Sequence, residues 1–124
     1  MQARAPAQGL SVNVVYGVLV ANVPTPLTRD GRVALREAVL AGLDRSRARA
    51  LVLDLSAVDV LDDEDASHLL GTAQAARLLG ARTAVAGVGP GIAAAWAELG
   101  VSLGDIATHA SLDAALTALR GGSA

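Results

Sequence analysis

Residues 50–80 constrain the fold most, because their hydrophobic pattern changes period in the middle. An unbroken apolar run over residues 51–53, with Leu55 after Asp54, is typical of a central strand that is covered on both faces. After Asp62 the spacing of apolar residues becomes three or four, as in an amphipathic helix. These residues are Ala66, Leu69, Leu70, Ala73 and Ala76. The sequence therefore predicts a buried strand that leads into a helix.

Four consecutive acidic residues stand at the start of that predicted helix: Asp62, Asp63, Glu64 and Asp65. Asp62 is the predicted N-cap, because its side chain can accept from a free backbone N–H of the first turn. The acids that follow it face the positive end of the helix dipole. On the residues alone, a capping role is favoured over a functional acidic cluster.

The chain before this stretch predicts an antiparallel hairpin and a first helix. Strands are expected over residues 10–15 and 18–23, with a tight turn at Tyr16 and Gly17 between them. Thr28 is expected to cap the helix. The side chains of the first strand that are expected to face inward are Leu10, Val12 and Val14. The buried face of the helix is expected to consist of Leu35, Ala38, Val39, Gly42 and Leu43. Its exposed face is expected to carry Arg32, Arg36, Glu37 and Asp44. The like-charged pair Arg32 and Arg36 indicates an acidic neighbour or an exposed surface.

The chain after Gly80, the expected C-cap of the second helix, predicts two further strand and helix pairs. Strands are expected over residues 83–86 and 106–108. A helix beginning at Pro90 and ended by Gly100 is expected to present Ile92, Ala95, Trp96 and Leu99 on one face, and a helix capped by Ser111 to bury Leu112, Ala115, Leu116 and Leu119. Trp96 is predicted to be a core residue in preference to a partner anchor.

This element order predicts an α/β fold with a mixed sheet, in which an N-terminal antiparallel hairpin is followed by βαβαβα units. The helices are expected to pack mainly on one face. The length of 124 residues predicts a single domain over residues 1–124, with an ordered core at about residues 10–119.

Composition excludes several classes of function. The chain has no Cys and its ten basic residues are all Arg, which excludes thiol catalysis, zinc–thiolate sites, Schiff bases and a P-loop. The glycine-rich loop at residues 87–91 lacks the dinucleotide spacing, since Ile92 replaces the third glycine. A net charge of −2 argues against nucleic-acid binding, and Arg45, Arg47 and Arg49 are interpreted as a solvated connector. With no signal-peptide or membrane-spanning pattern, we expect a cytoplasmic protein without cofactor or metal.

Catalysis has no support in the pattern of acidic and imidazole residues. The candidates for acid, base or metal-binding groups are Asp54, Asp59, Asp62, Asp63, Glu64, Asp65, His68 and His109. Asp65 and His68 share a predicted helix face but make at most half of a metal site, so a solvated His68 is favoured. Ser67 has no local base or oxyanion-hole sequence. The expected protein is not an enzyme.

Three motifs carry a family resemblance: Asp-Leu-Ser at residues 54–56, Val-Asp-Val-Leu-Asp at 58–62, and Gly-Val-x-Pro-x-Ile at 87–92. With the helix between them, they resemble the STAS domain of bacterial anti-sigma factor antagonists, in particular the single-domain stressosome scaffold type. The resemblance covers about residues 10–119. It implies the STAS fold and a non-catalytic regulator that acts by partner switching with a serine/threonine switch kinase or an anti-sigma factor.

The resemblance also implies where partners bind. In this family the position after the last Asp is a phosphorylated Ser or Thr, but here it is Asp63. Asp63 is then either a fixed, imperfect copy of the phosphorylated state or a capping residue in a homologue that has lost the switch. Phosphorylation at Ser56, Ser67 or Thr72 instead is left open. The implied partner-binding residues are Asp62, Asp63, Glu64, Ser67 and His68.

Two other functions stay open at this point. The chain resembles a structural subunit that packs with other STAS proteins in a stressosome-like complex, and a detached transporter-type STAS regulatory domain is the further alternative. The transporter-type alternative is disfavoured because no membrane segment is found and the resemblance to the single-domain scaffold is closer.

Overall fold

The computed structural model describes residues 10–100 and 106–121, which form a five-stranded sheet and four helices. The elements are β1 (Ser11–Val15), β2 (Val18–Asn22), α1 (Arg29–Ser46), β3 (Ala50–Asp54), α2 (Asp63–Leu78), β4 (Arg82–Ala86), α3 (Pro90–Leu99), β5 (Ala107–His109) and α4 (Leu112–Gly121). The predicted α/β fold is confirmed, and the boundaries of most elements lie within two residues of those expected.

The sheet has the strand order β1-β2-β3-β4-β5 and is mixed. β1 pairs antiparallel with β2, while the three other pairings are parallel. The predicted turn at Tyr16 and Gly17 is present, and both residues have positive φ (53° and 76°), as a two-residue type I′ turn requires. Because β2, β3 and β4 are parallel, their carboxyl ends at Asn22, Asp54 and Ala86 lie together at one end of the molecule.

Two apolar layers cover the sheet. The larger one packs α1, α2 and α3 against one face, and the smaller one packs α4 against the other. Helices thus lie mainly on one face, as predicted. Fully buried side chains such as Leu35 and Leu51 each contribute roughly 1.5–3 kcal/mol to the free energy of unfolding. Trp96 is buried beside Ile92 in the larger layer, which confirms its assignment to the core.

Several predicted positions are wrong in detail. Val14 was expected inside but is 50% exposed, because it lies in an open groove between β1 and the last turns of α1. Leu99 was expected on the buried face of α3 but is 49% exposed, at the last residue of that helix. The C-cap of α2 is Leu79, and Gly80 follows it with φ 90°.

Gly87, which follows β4, is a packing residue at the carboxyl end of the sheet. Its φ is 77°, and a Cβ there would lie 2.5 Å from Ser56 Oγ and 2.8 Å from Ser56 N. Its N–H donates to the carbonyl of His109, which ties β4 to β5. The close approach of the two backbones therefore accounts for the first glycine of the 87–91 loop.

We predict that Gly87→Ala lowers the free energy of unfolding by about 2 to 4 kcal/mol, since it adds a left-handed backbone penalty to a clash with the Ser56 backbone. Gly89→Ala is the matched control, because a Cβ at residue 89 meets nothing within 4 Å. Gly89 is the N-cap of α3, and its replacement by Ala should lower the free energy of unfolding by under about 1 kcal/mol. Urea unfolding of both variants measures the difference, and equal losses would contradict this account.

Candidate protein-binding surface

The start of α2 is built on a reciprocal pair of hydrogen bonds between Asp62 and Asp65. Asp62 is the N-cap, as predicted, with extended backbone (φ −83°, ψ −179°), and its Oδ1 accepts from Asp65 N at 2.7 Å. Asp65 Oδ2 in turn accepts from Asp62 N at 3.4 Å. This capping box satisfies backbone donors that the helix itself leaves free. The first turn is therefore fixed by residues 62 and 65.

The other oxygen of Asp65 binds α1. Arg32 Nη1 lies 2.7 Å from Asp65 Oδ1, and both side chains are largely buried. The hydrogen bond to Asp65 raises the pKa of Arg32, although desolvation acts in the opposite direction. Glu64 lies 3.9 Å from the same guanidinium but is 79% exposed, so its contribution is small. Arg32 was expected on the exposed side of α1, with an acidic neighbour as the alternative. The structure shows the acidic neighbour, because α1 packs on α2 and places Arg32 against Asp65.

Arg36 is also half-buried between the two helices, contrary to the prediction. Its Nε donates to Thr72 Oγ1 at 3.1 Å, and its Nη2 donates to the carbonyl of His68 at 3.1 Å. A Cβ at Gly71 would lie 2.6 Å from that Nη2, so the glycine leaves space for the guanidinium to cross α2. Arg32 and Arg36 together hold α2 to α1.

Asp63 and Glu64 project from this braced first turn into solvent. Both are exposed, as is Ser67 one turn further along α2. Among the described residues, none forms a hydrogen bond or ion pair with the Asp63 carboxylate, and Asp62 carries the N-cap in its place. The structure thus places Asp62, Asp63, Glu64 and Ser67 on one accessible surface.

His68 lies at the edge of this surface, half-buried against α1. The expectation of a solvated imidazole is wrong, since Nδ1 is buried and has no hydrogen-bond partner in the part of the chain described. Burial, followed by the positive charges of Arg36 and Arg32, lowers the pKa of His68, while Asp65 raises it to a lesser extent. The neutral imidazole is the form that this site favours.

Two of the three hydroxyls left open as phosphorylation sites are engaged in structure. Thr72 is fully buried, and its Oγ1 donates to His68 O. Ser56 Oγ donates to the buried Asp54 carboxylate, whose other oxygen accepts from Asn22 Nδ2 at 3.1 Å. Ser67 is exposed and, within the described residues, its hydroxyl has no hydrogen-bond partner.

The remaining acidic and imidazole candidates do not converge. Asp54 is the last residue of β3 and accepts a hydrogen bond from Asn22 at the end of β2. Asp59 is exposed in the loop before α2, and His109 belongs to β5. Over residues 10–100 and 106–121, no three His, Asp or Glu side chains are grouped so as to hold a metal ion. None of the helices in the described ranges combines the length and the hydrophobicity that a membrane span requires.

Sequence reasoning missed the role of Asp65 and the network of Asn22, Asp54 and Ser56. The spacing of Asp62 and Asp65, three residues apart at a helix start, is the signal that would have indicated the capping box. The Asn22–Asp54 bond had no comparable signal, because it joins strands 32 residues apart.

The fold and the motifs at the start of α2 define a class of protein. Residues 10–115 match the STAS domain family, and the chain belongs to that family. It is 29% identical over 108 residues to the RsbT co-antagonist protein RsbRA of Bacillus subtilis (strain 168). That similarity covers 87% of this chain but 38% of RsbRA, so the chain spans well under half of its relative.

Two solved structures are similar over most of the chain. A Ser-to-Glu variant of RsbS from Moorella thermoacetica has a TM-score of 0.78 at 25% identity, covering 89% of this chain and 96% of that one. A chain of the stressosome, which is described as a signal integration and transduction hub, has a TM-score of 0.79 at 25% identity. The match covers 90% of this chain and 96% of that one. The protein is therefore a STAS domain related to the stressosome proteins RsbRA and RsbS.

We predict that Asp65→Asn lowers the free energy of unfolding by about 1 to 3 kcal/mol, because a largely buried charged hydrogen bond is lost and a capping-box acceptor is weakened. Glu64→Gln removes the same charge from the same turn at an exposed position and should cost under about 0.5 kcal/mol. Denaturant unfolding of the two variants at neutral pH makes the comparison. A Glu64 variant as unstable as the Asp65 variant would contradict the assignment of the bridge to Asp65.

The lowered pKa of His68 predicts a dependence of stability on pH. The unfolded chain binds a proton at this residue near pH 6.5, and the folded chain does so only at lower pH. Stability from this group is therefore fully present above about pH 6.5 and is lost as the pH falls from there through the folded pKa. His68→Gln should flatten that part of the profile. Thermal unfolding across this range tests the prediction, and an unchanged slope in the variant would refute it.

Proposed function

We propose that this STAS domain is a non-catalytic, cytoplasmic regulator of the anti-sigma factor antagonist or stressosome scaffold type. It acts through protein binding at the start of α2, where Asp62, Asp63, Glu64, Ser67 and His68 meet a serine/threonine switch kinase or an anti-sigma factor. Its similarity to a protein named as a co-antagonist of RsbT supports a role in partner switching. The chain is proposed to work as one domain.

The observation that carries this proposal is the position of Asp63. It is the first residue of α2, it is exposed, and the structural work of its turn is done by Asp62 and Asp65. A side chain that is free of structural partners at a helix N-terminus is available to an incoming protein. It occupies the position at which the resemblance implies a phosphorylated hydroxyl.

Charge explains how a carboxylate at this position would act. Phosphate and carboxylate are both favoured by the positive end of a helix dipole. A phosphoserine carries about −1.5 to −2 at neutral pH, whereas Asp carries one charge and two acceptor oxygens. We infer that Asp63 holds this surface in a permanently negative state that partly reproduces the phosphorylated form, without kinase or ATP.

A structural role is the second candidate. The similarity to a chain of the stressosome supports a subunit that packs with other STAS proteins in a large assembly. In that case Asp63 is a solvent-exposed residue of the first turn and does not regulate binding. The two functions differ in whether partner affinity changes with the charge at residue 63.

We predict that Asp63→Ser unlocks the switch. The variant should lose a few tenths to about 1 kcal/mol of stability, because a negative charge leaves the first turn while Asp62 still caps it. Incubated with the switch kinase of the same cell and ATP, it should take up one phosphate at residue 63, whereas the wild type stays unmodified there. Its affinity for the partner, measured by calorimetry, should change before phosphorylation and return toward the wild-type value after it.

Asp63→Asn is the matched control, since it removes the charge without supplying a hydroxyl. It should resemble unphosphorylated Asp63→Ser in affinity and should not respond to the kinase. If wild type and both variants bind the partner equally, before and after kinase treatment, Asp63 has no regulatory role and the structural function is the better account.

A further inference from the structure

The two ends of the molecule carry opposite charge. Acidic side chains gather at the end where the parallel strands finish, around the loop before α2 and its first turn: Asp59, Asp62, Asp63 and Glu64. Arginines gather at the opposite end, where α1 stops and β3 begins: Arg45, Arg47 and Arg49. The net charge of −2 conceals this separation. Charge of this kind favours contacts between unlike ends of separate molecules.

The arginine end contains an open cleft of about 540 Å³ between the end of α1 and the end of α2. Leu43 and Leu79 contribute apolar surface to it, and Arg47 and Arg49 contribute positive charge, with Asp44 as the acidic residue of the lining. No described carboxylate is ion-paired with either of these arginines. Their positive charge is therefore uncompensated by a bonded partner within the described chain.

Exposed apolar side chains accompany the charge at both ends. Leu78 is 88% exposed and Leu79 is 59% exposed beside the cleft, at the end of α2. Val60 is 79% exposed at the opposite end, in the loop between Asp59 and the N-cap Asp62. These two adjacent leucines extend the apolar surface of the cleft, and contact with another molecule would remove that surface from water. A valine flanked by acids is complementary to a partly apolar cleft flanked by arginines.

We propose that the arginine cleft, formed by Leu43, Arg47, Arg49 and Leu79, binds the acidic end of a second copy of this chain, with Val60 seated between the two arginines. Because the two contacting surfaces differ, the contact is heterologous and joins copies head to tail into a ring or an open chain. It covers the surface proposed to receive a switch kinase, so self-association and kinase binding compete. The cleft itself takes no part in the kinase contact.

Sedimentation velocity on the wild-type chain tests the proposal. At about 100 μM protein and about 50 mM salt, species larger than the 12.4 kDa monomer should form, and they should dissociate as the salt is raised to about 500 mM. Arg47→Glu with Arg49→Glu should weaken association at least about tenfold. Leu79→Gln should weaken it without any change of charge. Arg29→Glu, an exposed reversal at the other end of α1, is the control and should not weaken it.

A charge-reversal mixture separates this contact from any other. Asp63→Arg with Glu64→Arg should also remove association, and mixing this variant with the Arg47→Glu, Arg49→Glu variant should restore it, since each supplies the end that the other lacks. Circular dichroism verifies that both variants are folded. A monomeric wild type, association that survives both reversals, or a mixture that does not associate would overturn the proposal. Binding of the switch kinase by the Arg47→Glu, Arg49→Glu variant reports separately on the proposed function.

Discussion

The bridge from Arg32 to Asp65 is the interaction on which the candidate surface depends. Asp65 uses one oxygen to bind α1 and the other to complete the capping box with Asp62, so a single buried carboxylate sets both the position of α2 and the geometry of its first turn. Pairing and hydrogen bonding of the two charges offset the free-energy cost of removing them from water. Removing either partner would leave the other without compensation between two helices.

Packing around this bridge requires small residues at particular positions. The helix interface between α1 and α2 places the Arg36 guanidinium over Gly71, and the carboxyl end of the sheet brings Ser56 against Gly87. A Cβ at residue 87 would clash with the Ser56 backbone, whereas a Cβ at residue 71 would require the end of the flexible Arg36 side chain to move. The buried part of α2 is built largely from Ala66, Ala73 and Ala76, which lets the helix lie close to the sheet. A core without Phe is therefore sufficient for this fold.

Most of the fold was predictable because the residue preferences of turns and helix caps agree with the hydrophobic pattern that packs each element into the core. The Tyr16-Gly17 turn, the Thr28 and Asp62 caps and the Pro90 helix start each combine a residue preference with a hydrophobic period on either side. Side-chain partners between elements were not predictable in the same way. Arg32 and Arg36 looked exposed because helical periodicity identifies the face that avoids the sheet, but it contains no information about a neighbouring helix on that side.

The acidic start of α2 was predictable as a location, but the contacts of its individual residues were not. The four acids could be placed at a helix start from their spacing, which also indicates the bond between Asp62 and Asp65. The spacing does not show that Asp65 binds Arg32 as well, while Asp63 faces water. Likewise His68 had the pattern of a surface residue, and its burial follows from the proximity of α1. The Arg32–Asp65 bond and the burial of His68 depend on contacts between residues remote in sequence, which periodicity does not encode.

The division of labour in the first turn of α2 has an evolutionary consequence. Since residues 62 and 65 provide the cap and the bridge, residue 63 contributes little to the stability of the fold. A lineage can therefore exchange a hydroxyl for a carboxylate there, or reverse the exchange, without first acquiring compensating changes elsewhere. Under the proposed function, selection on partner binding can therefore act at residue 63 with little effect on folding.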